Sequence, residues 1–225
     1  MSHSGLLWLA LAAIFIGGCS KSEDTTPEPV SVGTGGAGAD VKSDGDFVHD
    51  VALKNMADVE LSRMAVDRAT SPDIKAFAQR MVDDHGAIGD KLKSVLSGYP
   101  FEWPSQLDDE HREAADELAK KQGGDFDRDY LEGMVEGHQN LAAKLESRLD
   151  VQSLADWKTA AAARTDSKAL PEPTDLRDVA VRPNRSDSEI TMKINQWAAD
   201  TYPVAQKHLD TARTLENATK KGSTD

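Results

Sequence analysis

RMVDDHGAIGDKLKSVL, residues 80 to 96, returns 53 residues later as GMVEGHQNLAAKLESRL, residues 133 to 149. Met, Val, His, Lys, Leu, Ser and Leu are identical at seven of the seventeen positions, and Asp83 is answered by Glu136. In both copies apolar residues recur at three- and four-residue steps, the spacing of one face of an α-helix. His85 shares its face with Ala78, Met81, Val82, Ile88 and Leu92; His138 shares its face with Met134, Val135, Leu141, Ala142 and Leu145. Each phrase therefore predicts a helix that turns a histidine toward the core. General likeness between amphipathic helices accounts for the repeated apolar positions, but less readily for the repeated histidine.

Outward from these two phrases the same period continues, and strand signals are absent from residue 46 onward. Helix A is predicted from about Asp46 to Thr70, halted by Pro72, which then opens helix B behind a Ser71 cap. Helix B ends near Ser97 at Gly98. A shorter helix follows YPFEWP, with Ser105-x-x-Asp108 as a capping box and Gly123-Gly124 as its end. Helix C runs from Asp125 to about Asp150. Residues 151 to 185, with a weak helical patch around Trp157 and then PEPTD and RPNRS, form an expected insertion between helices. Helix D starts at Ser186-x-x-Glu189 and runs to about Lys220, where Lys220 and Lys221 favour the negative end of the helix dipole. The expected fold is all-α, and the segment from Tyr99 to Gly124 is long enough to travel the length of the bundle, so B and C can run parallel. That is a ferritin-like four-helix bundle with one long crossover containing a short extra helix, spanning residues 46 to 221.

Helix D carries His208 among Thr201, Val204, Ala205, Ala212 and Leu215, and helix A carries Glu60 among Leu53, Met56, Ala57 and Met64. Counted from the helix ends that would share one end of the bundle, Glu60 lies about ten residues in, His85 and His138 about thirteen, and His208 about eleven or twelve. At ~1.5 Å per residue the four fall within roughly one turn of the same height. Glu60, His85, His138 and His208 are therefore the candidate ligands of a transition metal, with Zn, Fe, Mn and Cu all compatible with three imidazoles and a carboxylate. The competing expectation is a set of core histidines satisfied by hydrogen bonds. A di-iron centre is disfavoured, because it wants Glu-x-x-His on two helices and the residues three before each histidine are Val82, Val135 and Ala205. Met56, Met64, Met81 and Met134 lie one turn away and would suit copper, although methionine at this spacing is usually core. Asp84 and Tyr130 are candidates to hold the ligands from behind. No Ser/His/Asp arrangement, phosphate-binding glycine loop or CxxC pair is present, and no nucleophile stands with a base, so the residues assign no reaction.

The chain opens with MSHSGLLWLALAAIFIGGCS, in which the eleven-residue apolar run Leu6 to Ile16 is too short to span a bilayer but fits the core of a secretory signal. Gly17-Gly18 leading into Cys19, the only cysteine, resembles the lipobox of bacterial lipoproteins. The resemblance implies a signal over residues 1 to 18, lipidation of Cys19, and, from Ser20, sorting to an outer membrane with the domain facing the periplasm. Residues 19 to 45, rich in Gly, Pro, Ser and Thr, read as a flexible tether off that membrane. The formal net charge of -13 argues against nucleic acid as a partner, since that binding depends on Lys and Arg neutralising phosphates.

Three stretches together carry a wider resemblance: FVHDVALKNMADVELSRMAVDRATSPDIKAFAQRMVDDH, FDRDYLEGMVEGH and WAADTYPVAQKHL. With Glu60-Leu61, Ala78 to His85, Phe126 to Tyr130, Met134 to His138 and Thr201 to Leu209 in place, the region from about 46 to 215 resembles the ferritin-like bacterial envelope family of domain of unknown function 4142. Two departures stand out: Gly137, where the family's second phrase usually has Asp, and the insertion at 151 to 185. The resemblance implies the ferritin-like fold and an envelope location, and it implies no activity. The functional expectation is a lipid-anchored, periplasm-facing helical bundle with a buried Glu/His cluster able to bind a transition metal. The alternative is a non-catalytic interaction or stress-related envelope protein in which the cluster is only structural.

Overall fold

The structure, a computed structural model, describes residues 37–164 and 180–222; the leader, Cys19, the tether up to residue 36 and residues 165–179 of the expected insertion lie outside the described residues. The described part is all-helical. Its elements are α1 (Ala37–Arg68), α2 (Pro72–Val95), α3 (Asp109–Ala119), α4 (Gly123–Glu146), α5 (Val151–Arg164) and α6 (Glu189–Gly222). No helix among the described residues is long and apolar enough to cross a membrane.

Polar contacts at the helix ends fix the directions. Arg68 at the end of α1 donates to the Lys121 carbonyl at 2.5 Å, and Thr70 donates to Asp127 in the first turns of α4, so α4 starts where α1 stops. At the far end the buried Asp44 of α1 pairs with Arg148, just past α4, and accepts from Thr191 Oγ1 at 2.6 Å in the first turn of α6. Helices α1 and α6 therefore run one way, and α2 and α4 the other. Parallel α2 and α4 are joined by residues 96–122, which return along the helices and include α3. Helix α1 packs chiefly on α2 and α4 chiefly on α6, while α2–α6 and α1–α4 contacts close the arrangement.

The core is divided along its length. One apolar cluster gathers Val48, Val51, Leu92, Leu96, Leu145, Trp197 and Tyr202. The other gathers Ala65, Phe77, Met81, Phe126, Leu131, Met134 and Ala212. On each of the four long helices the chain passes from one cluster to the other through a buried polar residue: Asp58 on α1, His85 on α2, His138 on α4 and His208 on α6.

Several boundaries differ from expectation for local reasons. Helix α1 begins at Ala37, ahead of the expected Asp46, so the last residues of the stretch read as tether are helical; the pairing of Asp44 with Arg148 and Thr191 holds that first part against the other helices. Ser71 sits at the start of α2 but makes no side-chain cap; Asp127, reaching over from α4, accepts from Thr70 N at 2.9 Å, Thr70 Oγ1 at 2.5 Å and Ser71 N at 3.2 Å. The α3 cap is Asp108, which accepts from His111 N, rather than Ser105. Gly123-Gly124 open α4 instead of closing α3, while Gly98, at φ 90°, makes the expected stop after α2. The expected insertion contains a full helix, α5, where Trp157 packs edge-on against Tyr202 at 5.2 Å between ring centres. After it, Leu149 and Pro183 form a lone bridge, and Ser188 Oγ caps α6 by accepting from Thr191 N.

Asp127 caps the α1–α2 turn from a third helix, so its loss should cost more than an ordinary exposed cap. We expect Asp127→Ala to lower unfolding free energy by about 1–3 kcal/mol and Tm by roughly 3–8 °C, with Asp127→Asn closer to wild type because it keeps one acceptor. Urea and thermal unfolding followed by far-UV circular dichroism measure both.

Candidate metal centre

Each histidine reaches the centre because its helix is amphipathic about it. One turn before and after His85 stand Met81 and Ile88, and around His138 stand Met134 and Leu141, so the apolar stripe that buries each helix carries its imidazole inward. The parallel course of α2 and α4 then puts the repeated phrases at one height on opposite sides of the core. His208 arrives from α6. The three rings form a near-equilateral triangle, with centroids 5.3 Å apart for His85–His138, 5.3 Å for His85–His208 and 5.4 Å for His138–His208. All three are at most 1% exposed, and one ligand atom from each lies within 4.8 Å of the others.

Every ring has one nitrogen held from behind. His138 Nδ1 lies 2.9 Å from the Met134 carbonyl, which only accepts, so Nδ1 bears the proton and Nε2 the lone pair. His85 Nδ1 donates to Asn55 Oδ1 at 3.0 Å, with the Asp58 carboxylate beyond it at 3.7 Å, which again leaves the lone pair on Nε2. His208 donates through Nε2 to Asp84 Oδ2 at 2.8 Å, and its buried Nδ1 has no protein partner. His85 Nε2 and His138 Nε2 stand 3.2 Å apart. Burial holds both rings neutral, lowering His138 to about 3 and His85 to about 4 against the partial offset of the Asp58 charge.

Asp58 is the charge of the layer. Burial pushes its carboxyl up, but Lys54 and the two imidazoles His85 and His138 outweigh that and bring it down to about 2. Lys54, one turn earlier on α1, ion-pairs with Asp58, and its ammonium occupies a notch at Gly137, where an added Cβ would stand 2.5 Å from Nζ. Asp58 Oδ2 has no hydrogen-bond partner. Asp84 is held below the usual carboxylate range, chiefly by its bond from His208.

The four expected ligands are therefore not all brought together. His85, His138 and His208 meet; Glu60 is exposed and faces a surface groove instead. The carboxylate of α1 at this level is Asp58. Two residues apart on a helix means ~200° around its axis, so Glu60 and Asp58 cannot share a face. Asp58 has Val51, Ser62 and Ala65 at helical spacing, small or polar residues that make a quieter stripe than the Leu53–Met56–Ala57–Met64 row beside Glu60. Asp84 does hold an imidazole, that of His208. Tyr130 does not: its hydroxyl bonds Ser62 Oγ at 3.0 Å, and burial raises its pKa. Met81 and Met134 are core residues, Met134 serving His138 through its backbone carbonyl. Asn55, Asp58 and Lys54 have no counterpart among the expected residues; the glycines opposite them, Gly89 and Gly137, were the available signal of close approach.

The family model described as Domain of unknown function (DUF4142) matches residues 31–171, more than half of the chain. The chain belongs to this family. No curated protein and no solved structure matches it. The match takes in α1 to α5, and with them His85 and His138 of the DUF4142 domain; His208 lies beyond the matched span, on α6.

The sign of the pH dependence follows from the two depressed histidines. Unfolded imidazoles take up protons below about 6.5, whereas the folded rings resist until about 4 for His85 and about 3 for His138, so in that window the unfolded state binds more protons. Stability of the metal-free protein should be full above pH 6.5 and fall as pH drops toward 4, with a slope of up to about 1.4 kcal/mol per pH unit for each ring. Asp58 adds the same sign between 3.8 and about 2. Urea midpoints at stepped pH check this, and His138→Met should shed one histidine's share of the slope.

Proposed function

We propose that this chain is a lipid-anchored envelope protein whose ferritin-like bundle binds one transition-metal ion through His85 Nε2, His138 Nε2 and His208 Nδ1. The observation that carries the reading is the 3.2 Å separation of the first two nitrogens when each ring has already turned its N–H to an oxygen. Two lone pairs so placed repel unless a cation lies between them, and burial works against the proton. With metal–nitrogen bonds of ~2.0–2.1 Å, ligand atoms in a tetrahedral shell stand roughly 3.3 Å apart, so the spacing suits an ion. The Met134 carbonyl, Asn55 and Asp84 are the kind of outer partners that fix tautomer and orientation in histidine metal sites.

Three imidazoles favour Zn, Cu or Fe, with Mn compatible, while a di-iron site wants several carboxylates among its ligands. Rings exposed to at most 1% suit holding or handing on an ion, or redox use, rather than turnover of a substrate. The antiparallel pairs α1–α2 and α4–α6 with a crossover between parallel α2 and α4 support the ferritin-like assignment. The apolar run ending at Gly17-Gly18-Cys19 supports signal cleavage and lipidation of Cys19, and Ser20 supports an outer-membrane position facing the periplasm.

A second reading has one observation behind it: the 3.2 Å contact also fits a hydrogen bond from His85 Nε2 to His138 Nε2, which makes the layer a structural register and the protein an interaction or stress-related one. That tautomer leaves His85 Nδ1 bare against Asn55 Oδ1 and the Asp58 carboxylate, which disfavours it.

Purified full-length protein, stripped and reloaded, should bind about one Zn²⁺ or Co²⁺ per chain and gain stability on loading, about 2.7 kcal/mol at a hundredfold excess over Kd. His138→Ala should abolish loading. Asp58→Asn should weaken it about 10–100-fold. Substoichiometric metal with a Tm indifferent to metal and chelator would reject this reading in favour of the structural one.

A further inference from the structure

The three imidazoles are at most 1% exposed, so an ion must pass through protein to reach them. The wall is thin on one side. Between α1 and α2 lies a groove of about 370 Å³, lined by Asn55, Met56, Glu60, Gly86, Gly89 and Trp103 among others. At ~30 Å³ per water it has room for on the order of ten. Asn55 belongs to both places: it lines the groove, and its Oδ1 accepts from His85 Nδ1 at 3.0 Å. Beside His85, helix α2 presents only glycine to this wall, because Gly86 follows His85 directly and Gly89 comes one turn later; its Asp90, Leu92 and Lys93 also line the groove. A Cβ at 89 would stand 2.7 Å from Asn55 Nδ2, so the amide rests on bare helix backbone, while a Cβ at 86 would meet nothing within 4 Å.

We infer that the groove between α1 and α2 is the route by which a divalent transition-metal cation reaches and leaves the histidine layer, with the Asn55 side chain as its door. The inference rests on the metal reading above. Turning Asn55 into the groove uses space already present and breaks one hydrogen bond. The oxygen donors along the path suit a hydrated divalent ion: the carboxylates of Glu60 and Asp90 at the groove, then the Asn55 amide, then the imidazoles. Arg63 and Lys93 also line the groove and balance the two carboxylates, so the groove passes the ion on without trapping it.

Stopped-flow uptake of Co²⁺ by the full-length protein, read by cobalt absorbance, tests the route. Gly86→Leu places a side chain in open groove space, and Gly133→Leu does the same at an equally open glycine on α4, away from the groove. Gly86→Leu should slow both uptake and chelator-driven release by on the order of tenfold and leave Kd unchanged, while Gly133→Leu should leave the rates alone. Equal rates in the two variants would overturn the route while leaving the metal site standing. Absence of Co²⁺ binding by the wild type would instead overturn the metal reading and the route with it. Should Gly86→Leu fold poorly, Gly86→Cys loaded before and after reaction with a bulky maleimide compares open and plugged grooves in one folded protein, with the wild type, whose one cysteine is Cys19, as the background. No slowing on modification would count against the route.

Discussion

Two imidazole nitrogens held 3.2 Å apart in the middle of an apolar core are the constraint around which the helices are arranged. His85 and His138 sit at matching places in two copies of one phrase, and the parallel course of α2 and α4 brings those copies to one height across the core. Parallel helices cannot be joined by a short turn, so residues 96–122 must run back along the length of the molecule before α4 begins. That crossover lays α3 on α1 and α4, and α1 and α6 flank the parallel pair antiparallel to it.

The layer is electrostatically expensive, and its neighbours show how the cost is met. Asp58 is wholly buried, and a buried carboxylate without a partner would be strongly destabilising. Lys54 supplies the opposite charge from one turn away on the same helix, its side chain only 20% exposed and its ammonium set against Gly137. It reaches that position only because residue 137 has no side chain. Gly137 is thus tied to the Lys54–Asp58 pair: a side chain at 137 would compete for the space the lysine now fills.

Fold class and three of the four polar positions were legible because they rest on periodicity. The repeated phrase has strong apolar flanks, and a histidine inside such a stripe can point only inward. Helix α1 defeats the same logic, since it is buried on more than one side and carries two rows. The louder row, Leu53–Met56–Ala57–Met64, pointed to Glu60; the row that faces the layer, Val51–Asp58–Ser62–Ala65, is small and polar and reads weakly on any hydrophobic scale. Caps were missed for a related reason. Asp127 caps α2 from α4 across 57 positions of chain, and no local pattern of Ser or Thr can announce a cap that arrives from another helix.

The division of the core into two apolar clusters with the polar layer between them separates what holds the molecule together from what it can bind. The ends are fastened by Asp44 with Arg148 and Thr191 at one side and by Asp127 with Thr70 and Ser71 at the other, each tying three elements through buried carboxylates. With both ends clamped, the middle can tolerate an arrangement that does not satisfy itself: His208 Nδ1 and Asp58 Oδ2 are buried without a hydrogen-bond partner in the protein. The rows above and below it on these same helices are apolar, with Met81, Ile88, Met134, Leu141, Ala205 and Ala212. Stability is thus invested at the ends, while the centre keeps buried polar atoms that the helices around it do not satisfy.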